Sequence, residues 1–388
     1  MFASSKSHHL LALAVLFSAA SVNAADIRLN GFASVVGGMT LSEGELSNGD
    51  KATFVADEPS GGVYNDEISF RPDSIFGLQI SADLGDGLSV TGQITGSGGE
   101  DFDANVAWAY VTYEFNPNWS ISLGRQRTQL FYYSDFLDVG YAYHWIRPPT
   151  ETNVPIDTNE GVTLNYYGSL GNWDNQITVY GGTAEAMSPS VGPIGIKNSV
   201  GFVAKTSSEW LQLRASYNAG EFYADALVLP FLGVDQGEEN PVDQSFYSLA
   251  AHFTFGNTAL ITEAMHYEFD DALFGIGWTE FSGAYASLTH RIGDFTPHIT
   301  FSMQEQELEG AFYLPDYSNP DFTQAIPIGN ATEKSESITL GLRWDFHRAA
   351  AFKVEYQMRS DESDASVIAA KGEAGEVDVI SAGIDVTF

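Results

Sequence analysis

Ser74-Ile-Phe-Gly-Leu-Gln-Ile-Ser-Ala-Asp-Leu84, then Gly85-Asp86-Gly87, then Leu88-Ser-Val-Thr-Gly-Gln-Ile-Thr95, is a pair of alternating runs joined by a glycine turn. Phe76, Leu78, Ile80, Ala82, Leu84, Leu88, Val90 and Ile94 share one face. Gln79, Ser81, Asp83, Ser89, Thr91, Gln93 and Thr95 share the other. A period of two is that of a strand with two unlike faces, and the short turn makes the pair a β-hairpin.

The unit recurs along the chain. Further tight turns fall at 116–118, 169–172, 207–209, 256–257, 293–294 and 347–349, and long polar stretches separate one hairpin from the next. With a first strand from Asp26 and a last one from Val377 to Phe388, the count comes to about sixteen, and helical periodicity is nearly absent. Strands of about ten residues, with short turns at one rim and long loops at the other, describe a transmembrane antiparallel β-barrel. A secreted β-sandwich has the same alternation, and the pattern alone does not say which face is inside. Two features favour lipid outside. Aromatics crowd the tight-turn ends on the apolar parity (Tyr113, Phe115, Trp119, Tyr166, Trp173, Phe253, Phe255, Phe295, Trp344, Phe346, Phe352), as in an interfacial girdle. Charged strand residues (Arg28, Asp83, Lys205, Arg214, Arg343, Asp345, Lys353, Glu355) take the other parity. Lys or Arg facing lipid at mid-depth costs about 2–4 kcal/mol, so this segregation orients the wall. Glu263 and Arg125 break the parity, and a bulge is expected at each.

The totals agree with an exported chain. Residues 1–24 combine Lys6, an apolar core from Leu10 to Ala20 and Val22-Asn23-Ala24, which reads as a signal peptide that is removed. The remainder, 25–388, forms a single domain. With no Cys, no disulfide, thiol nucleophile or zinc cluster is available. A net charge of −34 argues against nucleic acid as a partner, and 44% hydrophobic with 13% aromatic content excludes a disordered acidic chain.

Between Arg127 and the strand after Gly161 lies the longest aromatic loop, Gln129 to Glu160, with Phe131, Tyr132, Tyr133, Phe136, Tyr141, Tyr143, Trp145 and Pro148-Pro149. Such a loop is too apolar for a solvated linker, and a barrel offers it an interior. Its acids Asp135, Asp138, Glu151, Asp157 and Glu160 would then face wall arginines Arg28, Arg71, Arg125, Arg127, Arg214 and Arg343 across a narrow section, setting a transverse field. Each arginine has a plainer reading as a local ion pair or a brace for the loop. For Arg125 and Arg127 the two readings stand level, and for Arg28 and Arg343 the plainer one is preferred. The loop rings likewise read either as packing, which is favoured, or as a slide for sugars built from Tyr132, Tyr133, Tyr141, Tyr143 and Trp145.

The segments Asp26-Ile-Arg-Leu-Asn-Gly-Phe32, Trp108 to Phe115, Leu123 to Arg127 and Trp145-Ile-Arg-Pro-Pro149 resemble those of Gram-negative general porins of the marine gammaproteobacterial type. The resemblance covers nearly the whole mature chain. It implies an outer-membrane homotrimer of sixteen-stranded barrels whose third external loop, here 129–160, folds inward and narrows a diffusion channel. The last strand, with Ile380, Ala382, Ile384, Val386 and Phe388 on one face, is similar to the signal read by the barrel-assembly machinery. The Pro-Glu-Phe-Gly-Gly-Asp motif of the enterobacterial loop is missing, so that family's constriction residues do not transfer one for one.

Together these readings give a passive channel for small hydrophilic solutes and ions. Its net charge favours cations, and no cofactor or reaction is required. Acidic runs such as Glu305-Gln-Glu-Leu-Glu309 and Asp361-Glu-Ser-Asp364 are read as solvated external loops, or as bridged by divalent cations to lipopolysaccharide; no EF-hand spacing occurs. Gly-x-Ser-x-Gly and His-Glu-x-x-His are both absent, which leaves a barrel enzyme or adhesin as the weakest alternative.

Overall fold

In the computed structural model, all the strands of the main sheet pair antiparallel and close on themselves. The residues described are 26–41, 53–57, 62–152, 158–188, 192–224, 228–229, 234–235, 238–273, 278–308, 313–315, 325–327, 330–366 and 376–388. The signal peptide and Asp157 lie outside them. The wall has sixteen strands. In chain order they are Asp26–Thr40, Ile75–Gly85, Leu88–Ser97, Ala104–Asn116, Trp119–Arg127, Thr158–Leu170, Trp173–Ser188, Gly192–Ser207, Leu211–Ala224, Val242–Phe255, Thr258–Leu273, Trp278–His290, Phe295–Leu308, Ala331–His347, Ala350–Asp361 and Val377–Thr387. Each tight turn expected from the sequence joins two neighbouring strands.

Closure comes from the two ends of the chain. The first strand pairs with Ile75–Gly85 from Asp26↔Asp83 to Ser34↔Ile75, and with the last strand from Phe32↔Thr387 to Thr40↔Val379. Phe388 completes the seam: its N–H donates to the Gly31 carbonyl at 2.9 Å and its carbonyl accepts from the Gly31 N–H at 2.8 Å. No free edge remains, the condition for a sheet that crosses hydrocarbon.

The faces are arranged inside out relative to a soluble protein. Leu340 is 45% exposed, Leu249 68% and Ile384 43%, whereas Ser337, Thr178 and Lys353 on the inner face are at most 1% exposed. A sandwich of the same alternation would bury the apolar set, so the barrel reading holds. The girdle is present at the tight-turn rim, where Trp119 packs on Tyr166 at 4.9 Å and Phe295 on Trp344 at 5.8 Å between ring centroids.

Both parity exceptions have a cause other than the expected bulge. Register runs unbroken from Thr258↔His290 to Glu268↔Glu280, with Glu263 opposite Tyr285. Ile261, Met265 and Tyr267 are buried on the same inner face as Glu263 because an apolar segment packs against them. Arg125 pairs directly with Glu160, two residues beyond the outward pair Leu123↔Val162, with no register shift. Directly opposed residues share a face, so Arg125 and Glu160 point outward.

A small hairpin, Phe54–Asp57 with Gly62–Tyr64, accompanies the barrel. Phe54 and Tyr64 are buried against Val377 and Val379 of the last strand.

Candidate functional site

Residues 128–152 leave the strand Trp119–Arg127 and bind the polar face of the wall at successive strands. At the start, Arg214 donates through Nη1 to the Leu130 carbonyl at 2.7 Å and through Nη2 to the Gln129 carbonyl at 2.5 Å, and Ser216 Oγ donates to Leu130 as well. The buried Glu263 accepts from the Tyr132 N–H at 2.9 Å and from Ser248 Oγ at 2.8 Å. Further on, Arg343 Nη1 donates to the carbonyls of Tyr141 at 2.8 Å and Tyr143 at 2.6 Å. Lys353 Nζ donates to the Gly140 carbonyl at 2.7 Å and to that of Trp145, and it pairs with Asp385 at 2.7 Å. Trp145 Nε1 donates to Thr300 Oγ1 at 2.7 Å, and the Ile146 N–H donates to Glu355 at 2.7 Å. At the far end Glu151 accepts from Ser302 at 3.0 Å and from Ser337.

Three short 3-10 turns, Ser134–Phe136, Gly140–Ala142 and Thr150–Thr152, satisfy some of the segment's carbonyls locally, and buried cations of the wall supply partners for others. Three of the segment's rings add packing: Tyr133 lies 5.2 Å from Trp145 and 5.7 Å from Tyr143, and Trp145 lies 5.5 Å from Tyr285 of the wall. Burial holds the Tyr133 and Tyr143 phenols well above their ordinary range and pushes Tyr132 up to about 12.

The charged residues singled out in the sequence are dispersed by this arrangement. Asp135 pairs with Lys205, both partly exposed, and Asp138 pairs with Arg127 at 2.5 Å, largely buried. Glu151 is fully buried, tied to wall serines rather than open to the interior. Arg214 and Arg343 brace carbonyls, as above. Arg125 and Glu160 pair at 2.7 Å on the outer face, with Glu160 already inside the strand Thr158–Leu170. Arg28 pairs with Asp26 at 3.3 Å in an exposed position near the tight-turn rim, and Arg71 pairs with Asp101, also exposed. Arg28, Arg71 and Arg125 are thus not brought together with the acids of residues 129–152. Ile380, Ile384, Val386 and Phe388 do share the outward face of the last strand.

Two anchors were not singled out as site residues. Arg147 pairs with Asp73 through Nη2 and donates from Nε at 2.8 Å, while its guanidinium lies 5.2 Å from the Phe54 ring centroid and 5.5 Å from that of Tyr64. Burial alone would lower the Arg147 guanidinium, but the Asp73 carboxylate outweighs it and raises the group above its usual value. The second anchor is Lys353 with Asp385. A lysine and an aspartate on the polar parity of two neighbouring strands were the available signal. Arg147 lies in a loop whose neighbours periodicity does not reveal.

On the opposite side of the segment a cavity of about 420 Å³ opens among Tyr132, Asp135, Phe136, Tyr167, Lys205 and Gln212. A second, of about 170 Å³, lies where Arg127, Asp138 and Arg147 approach Ser34 and Ser97.

The sequence model for Gram-negative porins matches residues 12–385. The chain belongs to that family. It is therefore an outer-membrane protein whose family and fold support a diffusion channel. An anion-selective porin from Comamonas acidovorans has the same fold at 14% identity and TM-score 0.55, covering 94% of this chain and 100% of that one. The outer membrane channel DcaP of Acinetobacter baumannii aligns at 14% identity and TM-score 0.57, covering 94% and 97%. OmpT of Vibrio cholerae, in a trimer form, aligns at 10% identity and TM-score 0.51, covering 93% and 99%. No curated protein sequence matches this porin.

Proposed function

We propose that this porin forms a water-filled path for small hydrophilic solutes and ions, narrowed by residues 128–152 and preferring cations. The observation that carries the reading is the inverted wall: buried Ser, Thr and charged side chains inside, exposed Leu, Ile and Val outside. A barrel of this strand number is wide enough for a lumen unless something fills it. Most of the segment's hydrogen bonds go to strands from Leu211 onward, and its Asp135 and Asp138 reach Lys205 and Arg127 on the other side of the wall.

The charges available to a passing ion differ from the sequence expectation. Arg127, Arg147, Arg214, Arg343 and Lys353 are occupied by carboxylates or carbonyls. The partly exposed Asp135–Lys205 pair beside the cavity replaces the arginine row as the element that sets the local field. With those cations engaged, the net charge of −34 gives the mouth a negative potential. The anion selectivity of the Comamonas porin does not support a cation preference, and at 14% identity that porin shares the fold alone.

A homotrimer is proposed by analogy with the OmpT trimer form. Lipopolysaccharide contacts at the external loops, and recognition of the Ile380–Phe388 face by the assembly machinery, belong to the same proposal. The sugar-slide alternative loses Tyr133, Tyr143 and Trp145, which are buried in packing.

The test is recording in a planar bilayer with a salt gradient. Discrete open steps with a reversal potential on the cation side are expected. A sealed membrane would refute the channel, and an anion-side potential would refute the selectivity.

A further inference from the structure

Behind the segment lies a cluster of titratable groups to which the channel reading assigns no task. His144 is buried, with Nε2 2.8 Å from Ser287 Oγ. Its ring centroid lies 4.7 Å from that of His298, on the strand Phe295–Leu308. Both ring nitrogens of His298 are buried without a hydrogen bond, although Nε2 is 3.4 Å from the Glu355 carboxylate. Glu355 in turn accepts the Ile146 N–H, two residues after His144. Flanking the cluster, Lys353 and Arg343 hold the carbonyls of Gly140, Trp145, Tyr141 and Tyr143, with Asp385 and Asp345 as their counter-ions. His252, on Val242–Phe255, is a further titratable neighbour of His144.

We propose that the His144–His298 pair is an acid-sensitive latch, holding residues 140–146 to the wall while uncharged and releasing them into the lumen when His144 takes a proton. The idea rests on the channel reading. The cluster's carboxylate, Glu355, lies against His298, so a proton on His144 has no carboxylate partner there and faces His298, Lys353 and Arg343.

Burial, reinforced by those neighbouring positive charges, holds the His144 imidazole well below its ordinary range. Released into water, the same ring returns to about 6.5. The released state therefore binds protons more readily, so the docked state is favoured above that value and loses ground as pH falls. Each pH unit below about 6.5 shifts the docked-to-released ratio about tenfold until the docked ring itself titrates, or about thirtyfold between pH 7.5 and 5. Because docking presses the segment to the wall, release moves it into the path of the current.

The experiment is single-channel recording of the full chain in planar bilayers from pH 7.5 to 5, with wild type, H144Q and S287A. Wild type is expected to show closures whose occupancy rises at least tenfold across this range. H144Q, whose amide can still reach Ser287 but does not titrate, is expected to lose the response. S287A removes the hydrogen bond to the neutral ring and is expected to move the closing midpoint to higher pH. A pH-independent wild type, an unaltered response in H144Q or an unmoved midpoint in S287A would overturn the latch. Should H144Q yield no channels, the S287A midpoint decides alone. A wild type that never conducts would instead sink the channel reading, so the two failures are distinct.

Discussion

Replacing Lys353 with Met isolates the strongest anchor between the segment and the wall. The ammonium is 1% exposed and has three partners: the Gly140 carbonyl, the Trp145 carbonyl and Asp385. Its loss leaves the buried Asp385 carboxylate without its cation, and breaking a buried pair from one side costs about 3–5 kcal/mol. The two carbonyls also lose charged donors, each bond contributing about 1.5–3 kcal/mol, though part of this overlaps with the first loss. We therefore expect K353M to destabilise the folded barrel by at least about 3 kcal/mol. D385N leaves the ammonium its two carbonyls and is expected to cost less, about 1–3 kcal/mol. The double variant removes both charges, so it is expected to be less damaging than the two single losses combined. Urea titration in detergent micelles, followed by tryptophan fluorescence, measures all four corners of the cycle. K353M within about 1 kcal/mol of wild type, or strict additivity, would refute the view that a compensated buried charge fastens the segment.

Other substitutions test separate parts of the account. Leu340→Arg, on the outward face, is expected to cost about 2–4 kcal/mol in lipid vesicles by the same titration, and no loss would contradict the lipid-facing assignment. Gly283→Ala places a Cβ against the Glu151 carbonyl, so channel conductance is expected to change while the far-ultraviolet circular dichroism spectrum of the barrel stays the same. Lys205→Gln leaves Asp135 uncompensated beside the cavity and is expected to move the reversal potential further toward cations. Deleting Phe388 removes the seam bonds to Gly31 and is expected to lower the fraction of chain recovered in the outer membrane by cell fractionation.

The wall was legible in the sequence because a membrane barrel repeats one rule at every strand. Alternation, glycine or asparagine turns and aromatic ends each constrain the same face. The parity exceptions at Glu263 and Arg125 were misassigned to bulges for two different reasons. Inward apolar residues such as Ile261 and Met265 are explained only by the rings packed on them, and those lie more than a hundred residues earlier in the chain. Arg125 faces outward because its cross-strand partner is Glu160, a pairing that depends on where the long segment re-enters the wall. Side-chain destinations within residues 128–152 were not legible, since an irregular backbone carries no period. The aromatic content did signal that the segment packs, and Trp145 does so. It did not signal that Glu151 would be buried on serines while Asp135 stayed half open.

The central claim is that one face of each strand meets lipid while the other meets water. The chain has no Cys, so single cysteines can be placed at Ile80 and Ser81, adjacent residues on opposite faces of the strand Ile75–Gly85. In vesicles, a charged methanethiosulfonate reagent is expected to label position 81 rapidly and position 80 hardly at all, while a bilayer-dissolved maleimide shows the reverse. Equal labelling of both positions by the charged reagent, or the opposite order, would contradict the account.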